Sequence, residues 1–220
     1  MILIKACIFD LDGTLCDTLT TISYFANEAL KHFGLEEIET QNFKYMVGNG
    51  YKNLIIRMLK HINVYTEELA KKVGDYYFEI YDKNPLYLSA PYEGIMEMLD
   101  LLKEKGMKTA ILSNKPHNAT INVAKEIMAG AEFSHVQGHI EGVPLKPEPD
   151  ALLNIIKSLG VAKEECLYIG DTATDIETGK NAGVKTMGVL WGFRTEEELR
   201  NAGADEIAKS PKDIIDYIEK

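Results

Sequence analysis

The chain has little of what several protein classes require. Only three of its 220 residues are cysteine, and Cys7, Cys16 and Cys166 are isolated, without metal-ligand spacing. A disulfide framework and a cysteine-based metal site are therefore excluded, and the three read as buried thiols of a reducing compartment. Positive charge is scarce: 24 Lys and Arg against 34 Asp and Glu leave a formal net charge of −10. Nucleic acids and anionic membranes are bound by clustered Lys and Arg, so neither is an expected partner. Long apolar runs are missing too. The N-terminal run from Ile2 to Phe9 is broken by Lys5 and stops at Asp10, which makes it neither a signal peptide nor a membrane span. A cytoplasmic protein is expected. Neither a repeat nor a low-complexity segment is visible. What is present, 45% hydrophobic and 26% charged residues, suits a globular chain with its own core, either one large domain or a core carrying a smaller insert.

One stretch then carries most of the chemistry. Phe9-Asp10-Leu11-Asp12-Gly13-Thr14-Leu15-Cys16-Asp17 follows a run that reads as a strand buried on both faces. Alternation along an extended chain puts Asp10 and Asp12 on one side, just past the strand's C-terminal end, where ligands bind in open α/β sheets. Two acids side by side repel, so a cation, a shared proton or both must offset them. Gly13 allows a sharp turn or a close backbone approach. By itself, Asp-x-Asp-Gly can also be read as a plain turn, since Asp and Gly are ordinary turn residues.

The rest of the chain alternates between helical and extended patterns. Thr18 to Phe33, Tyr51 to Ile62 and Glu67 to Tyr81 carry apolar residues at helical spacing, with Gly34 and Gly48-Asn49-Gly50 as punctuation. No strand is expected between Cys16 and Asp82, so this is an all-helical insert. Pro85 and Pro91 mark the return. Helices are expected over Glu93–Lys105, Pro116–Met128, Pro149–Leu159, Ala173–Ala182 and Thr195–Asn201, with a last one after Ser210-Pro211. Strands are expected over Met107–Leu112, Phe133–Gln137, Cys166–Ile169 and Val184–Leu190. The pattern predicts an α/β fold: a Rossmann-like, mostly parallel sheet flanked by helices, with an inserted helical cap. The expected division is a core of residues 1–15 and 83–220 and a cap of residues 16–82.

Three further strand ends carry polar groups. Ser113-Asn114-Lys115-Pro116 offers a hydroxyl and backbone N–H groups before a helix, an anion cradle or simply a cap. Lys146 sits between Leu145 and Pro147-Glu148-Pro149, in backbone stiffened by two prolines. Held there, its ammonium would neutralise a phosphoryl group, although a lysine is ordinarily solvated. Gly170-Asp171 ends another apolar strand, with Asp175 four residues on. Asp10, Asp12 and Asp171 on one sheet edge would make the oxygen-rich environment that Mg²⁺ takes. Asp175 suits an orienting role behind them, or a helix-start charge.

With Asp10-Leu11-Asp12-Gly13-Thr14, Ser113-Asn114, Lys146 and Gly170-Asp171 with Asp175, the sequence resembles the haloacid dehalogenase superfamily. The resemblance is to its phosphatase branch with a helical cap after the first strand. Ser113-Asn114-Lys115-Pro116, Lys146-Pro147-Glu148-Pro149, Trp191-Gly192-Phe193-Arg194 and Ala202-Gly203-Ala204-Asp205 make it most similar to phosphoglycolate phosphatases. The resemblance implies Mg²⁺ on the Asp10 and Asp171 carboxylates and the Asp12 main-chain carbonyl. It also implies Asp10 as nucleophile forming an aspartyl-phosphate, and Asp12 as general acid and base. Ser113, the Asn114 amide and Lys146 would hold the phosphoryl oxygens. The implied substrate is a small phosphorylated metabolite, 2-phosphoglycolate first. A cap closing over it would contact the leaving group through Gly48 and Asn49. Lys52 and Arg57 are further candidates, though charges on a helix are mostly solvated. His117 reads as an ordinary helix-start residue. A pyrophosphatase, a nucleotidase, a β-phosphoglucomutase and a non-catalytic binding protein stay open on the same core. A dehalogenase does not need the Asp12 acid. The oligomeric state expected is a monomer or small homo-oligomer.

Overall fold

The computed structural model describes residues 3–84 and 86–220. The first strand, β1 (Ala6–Phe9), leads through a two-residue strand, β2 (Cys16–Asp17), into three helices: α1 (Leu19–His32), α2 (Tyr51–His61) and α3 (Glu67–Asp82). A second two-residue strand, β3 (Ala90–Pro91), brings the chain back. Then follow α4 (Ile95–Glu104), β4 (Lys108–Pro116), α5 (His117–Glu126), β5 (His135–His139), α6 (Asp150–Leu159) and β6 (Cys166–Gly170). The chain finishes with α7 (Ala173–Ala182), β7 (Lys185–Val189), α8 (Glu196–Asn201), β8 (Glu206–Ala208) and α9 (Pro211–Ile218).

Six strands form one parallel sheet in the order β5-β4-β1-β6-β7-β8. The period-2 alternation of β1 divides its side chains between two layers. Cys7 and Phe9 pack with Ile95, Met98 and Leu102 of α4 and Ile214 of α9. Ala6 and Ile8 pack with Leu152, Ile155 and Ile156 of α6 and Ala182 of α7. Burial on both faces is why the strand reads as a nearly continuous apolar run. A separate cluster is built from the three N-terminal helices, including Ile22, Phe25, Leu30, Leu54, Met58, Val73 and Tyr81. Among the described residues, only Ala119 and Phe193 join it from the sheet side. The sheet-side cluster extends to Cys16, and the helical one begins at Leu19.

Several expectations need correction. The stretch from Cys16 to Asp82 does contain a strand: β2 pairs antiparallel with β3, Cys16 opposite Pro91 and Asp17 opposite Ala90. Two residues offer no periodicity to read, and the same is true of the three-residue β8. The strand expected over Met107–Leu112 runs on to Pro116, because pairing with β5 resumes at Pro116–His139 after a register shift. The helix behind it therefore starts at His117. The first strand starts at Ala6 rather than Ile2, which lies outside the described residues, as does Pro85. Among the described residues no helix is long and apolar enough to cross a membrane.

Candidate active site

The sheet order decides where the site lies. β1 sits between β4 and β6, with Phe9 level with Ile111 and Ile169. Residues just past the three strand tips are therefore neighbours, although they are far apart in sequence. Beyond the tip of β1 the chain turns back at once: Gly13 N–H donates to the Cys16 carbonyl, and Cys16 N–H to that of Leu11, both at 2.9 Å. Gly13 takes φ +92°, and a Cβ there would fall under 3.0 Å from the Asp171 carboxylate. Both uses of glycine expected from the sequence thus apply, but the close approach is to the acid at the tip of β6.

Lys146 is the hub. Its ammonium donates to Asp10 Oδ1 at 2.8 Å, to Asp175 Oδ1 at 2.7 Å and to the Leu112 carbonyl at 3.3 Å. All three N–H donors are engaged, and the side chain is 3% exposed. Asn114 fixes the lysine backbone, accepting from Lys146 N–H at 2.9 Å and donating to its carbonyl at 3.2 Å. The same amide donates to the Gly48 carbonyl at 3.0 Å, tying the helical segment to this edge. Asp175 both starts α7 and holds the lysine: its Oδ2 accepts from Thr172 N–H and Oγ1 while Oδ1 faces Lys146.

Asp171 accepts from Thr14 Oγ1 at 3.1 Å and from Phe193 N–H at 2.8 Å. Carboxylate oxygens of Asp10, Asp171 and Asp175 come within 4.8 Å of one another. The Lys146 ammonium meets two of these buried acids, Asp10 and Asp175, while Asp171 has only the Thr14 hydroxyl and the Phe193 N–H as hydrogen-bond partners among the described residues. Burial and then Asp175 push Asp10 well above the ordinary carboxylate range, with Lys146 opposing. Burial and then Asp175 push Asp171 up to about 7. Burial would lower Lys146, but Asp10 and Asp175 hold it above the ordinary lysine value. Uncompensated negative charge on hard oxygen donors is what a divalent cation relieves, so the donor set fits one.

The second acid of the pair has a different partner. Asp12 Oδ1 accepts from Lys115 Nζ at 2.9 Å. Among the described residues no hydrogen bond uses the Asp12 carbonyl. Lys115 also donates to the Tyr81 hydroxyl, which α3 brings down from the helical segment. A cavity of about 60 Å³ opens between the segment and the sheet edge. Asp10, Asp12, Ser113, Asn114 and Lys115 line one side, and Gly48, Leu54, Tyr77 and Tyr81 line the other.

The remaining candidates divide. Gly48 reaches the cavity, whereas the Asn49 amide donates to Thr174 Oγ1 and accepts from Arg57. Arg57 also donates to the Met46 carbonyl, so it braces the loop. Lys52 is exposed, and His117 Nδ1 accepts from Gly138 N–H. Thr14, Phe193 and Tyr81 carry no chemical signal in the sequence strong enough to single them out; only their motif neighbours point toward the first two.

A family model described as haloacid dehalogenase-like hydrolase matches residues 7–189. The chain belongs to that family. A phosphoglycolate phosphatase from Aquifex aeolicus is 32% identical over 98% of this chain and 97% of its own. An N-acetylmuramic acid 6-phosphate phosphatase from Pseudomonas aeruginosa is 30% identical, over 99% and 96%. Among solved structures, a Lactobacillus delbrueckii subsp. bulgaricus protein predicted to be a phosphoglycolate phosphatase superposes with a TM-score of 0.94. It is 28% identical, with 98% of each chain covered. This chain is thus a haloacid dehalogenase-like hydrolase with an α/β fold, and its relatives include phosphatases named for different phosphorylated compounds.

Proposed function

We propose that the protein is a phosphatase that hydrolyses small phosphomonoesters, 2-phosphoglycolate first among them, through an aspartyl-phosphate on Asp10. The observation that carries this reading is the convergence at Lys146: the first acid of the chain and the acid of α7 share one buried ammonium, with Asp171 alongside.

In this reading Asp10 attacks phosphorus in line and the ester oxygen leaves on the opposite side. Asp12 gives that oxygen a proton and afterwards takes one from the water that splits the acyl-phosphate. Ser113, the Asn114 main-chain amide and the Lys146 ammonium hold the phosphoryl oxygens, where positioning and charge supply most of the rate. A divalent cation, Mg²⁺ in this proposal, would be held by the Asp10 and Asp171 carboxylates and the Asp12 carbonyl, and when bound lowers the repulsion between nucleophile and phosphate. Asp175 acts through Lys146 and Thr172 rather than on the substrate. Residues 16–82 serve as a cap over a core of 1–15 and 83–220, excluding bulk water. Gly48 faces the leaving group, and Asn49 keeps the cap loop against Thr174. The narrow cavity, about 60 Å³, supports a small ester.

Release of p-nitrophenol from p-nitrophenyl phosphate in the presence of Mg²⁺ is the first test; no release above background overturns the reading. A panel of phosphate esters ranked by kcat/KM then tests the substrate. If a nucleotide or pyrophosphate ranks first, the mechanism stands and the substrate assignment falls.

A further inference from the structure

Two lysines are buried at this site, and they differ in one respect. Lys146 spends its three N–H donors on Asp10, Asp175 and Leu112. Lys115, 6% exposed, donates to Asp12 and Tyr81 and, among the described residues, to no third acceptor. Its cation also lies 4.9 Å from the centre of the Tyr81 ring.

The rest of the cavity gives that donor its meaning. Among the described lining residues Lys115 is the one basic side chain, and the wall opposite the acids is Ile22, Leu54, Tyr77 and Phe78. Arg57 and Arg194 donate to main-chain carbonyls of the Lys44–Val47 loop, so they hold the loop and leave the cavity to Lys115. A second anion on a substrate would find no other cation on these walls, only neutral hydroxyl and amide groups among apolar side chains. The Tyr81 hydroxyl, having accepted from Lys115, keeps its own proton to donate. Lys115 Nζ lies 2.9 Å from Oδ1 of Asp12, the acid that would serve the leaving oxygen. A carboxylate one or two carbons from the ester oxygen therefore falls within its reach.

The geometry points to Lys115 as the specificity-determining residue: with Tyr81 it takes a carboxylate on the leaving-group side of the substrate, which replaces Asp12 as its counter-ion. The exchange keeps the buried Lys115 ammonium paired and frees the Asp12 carboxyl for the ester oxygen. The inference rests on the phosphatase reading above, and its test separates the two.

The probes are 2-phosphoglycolate and 2-hydroxyethyl phosphate, which share a two-carbon skeleton and differ in carboxylate against hydroxymethyl. The wild-type protein should prefer the carboxylate by about 10- to 100-fold in kcat/KM, the range of a hydrogen bond to a charged group. Lys115→Met should bring the ratio to about one, whatever its absolute rate, and Lys115→Arg should restore part of it. A general loss of folding moves both esters together and leaves the ratio unchanged. Equal rates in the wild type, or a preference that survives Lys115→Met, overturn the assignment. Calorimetric binding of both esters to an Asp10→Asn variant needs no turnover. Equal affinities there overturn the role of Lys115. Discrimination there, without hydrolysis of any ester by the wild type, overturns only the phosphatase reading.

Discussion

Phe193 donates its main-chain N–H to Asp171 Oδ2 at 2.8 Å, while its ring is buried in the helical cluster. One residue thus orients an acid at the sheet edge and packs against the segment above it. The adjacent Gly192 makes this possible. A Cβ there would fall under 3.0 Å from both the Asp171 side chain and the Gly13 carbonyl. Gly192→Ala should push the β6 tip away from the Asp10 turn. We expect a loss of about 1–3 kcal/mol, a drop of about 3–10 °C in Tm for a chain of this size. The fall in kcat/KM should exceed what that instability explains. Melting curves and kinetics on the same preparation check it. A variant with wild-type activity shows that Asp171 tolerates the displacement.

The sheet and its flanking helices were legible because their signals are long. β1 and β6 are near-continuous apolar runs and β4 holds a shorter one, Ala110-Ile111-Leu112, and α1, α3 and α6 keep their apolar faces over ten residues or more. β2, β3 and β8 were not legible, since two or three residues carry no period. At the site, Asp10, Asp12, Asp171 and Asp175 could be picked out because each stands just past a strand or in the first turn of a helix, and Lys146 because Pro147 and Pro149 follow it in the loop before α6. What no sequence pattern gives is who faces whom. Lys146 between Asp10 and Asp175, and Lys115 between Asp12 and Tyr81, depend on strand order and on where α3 lands. Tyr81 reads as one more aromatic residue on a core-facing helix. Arg57 reads as a possible contact, yet its guanidinium goes to the loop backbone.

Asp10→Asn is expected to abolish turnover and keep the fold. An amide cannot form the acyl-phosphate, so a loss of about 10⁴-fold or more in kcat is predicted. Burial and Asp175 already disfavour the charged form of Asp10 in the folded state, so a neutral isostere should hold Tm within a few degrees. Circular dichroism and a phosphate-release assay decide it, and full activity in the variant removes Asp10 as nucleophile.

Stripping divalent cations should stop hydrolysis reversibly and make stability depend on pH in a definite sense. With its pKa raised to about 7, above the ordinary value of about 3.9, Asp171 holds a proton in the folded state that the unfolded chain has lost. Between those values the folded state binds more protons, so stability falls as pH rises from about 4 through about 7, then levels off. A bound cation favours the ionised carboxylates and removes this loss. The rise in Tm on adding Mg²⁺ to chelator-treated protein should therefore be larger at pH 8 than at pH 5.5. A rise independent of pH, or none at all, contradicts this coupling.

The three cysteines give a test that does not involve catalysis. All are buried and free. Burial first, then the Asp12 charge, pushes Cys16 up to about 12; burial and then Glu165 push Cys166 up to about 11. Cys7 is raised further by burial and by Cys166. The thiolate is the reactive form, so even Cys16, one turn from the acidic pair, should be inert at pH 8. An aromatic disulfide reagent should find almost no reactive thiol in the native protein and all three in guanidinium chloride. A single fast-reacting thiol in the native state points to Cys16 opening toward the cavity. Loss of that reactivity in Cys16→Ser would confirm the source and would also mean that the turn after Asp12 is less closed than its hydrogen bonds imply.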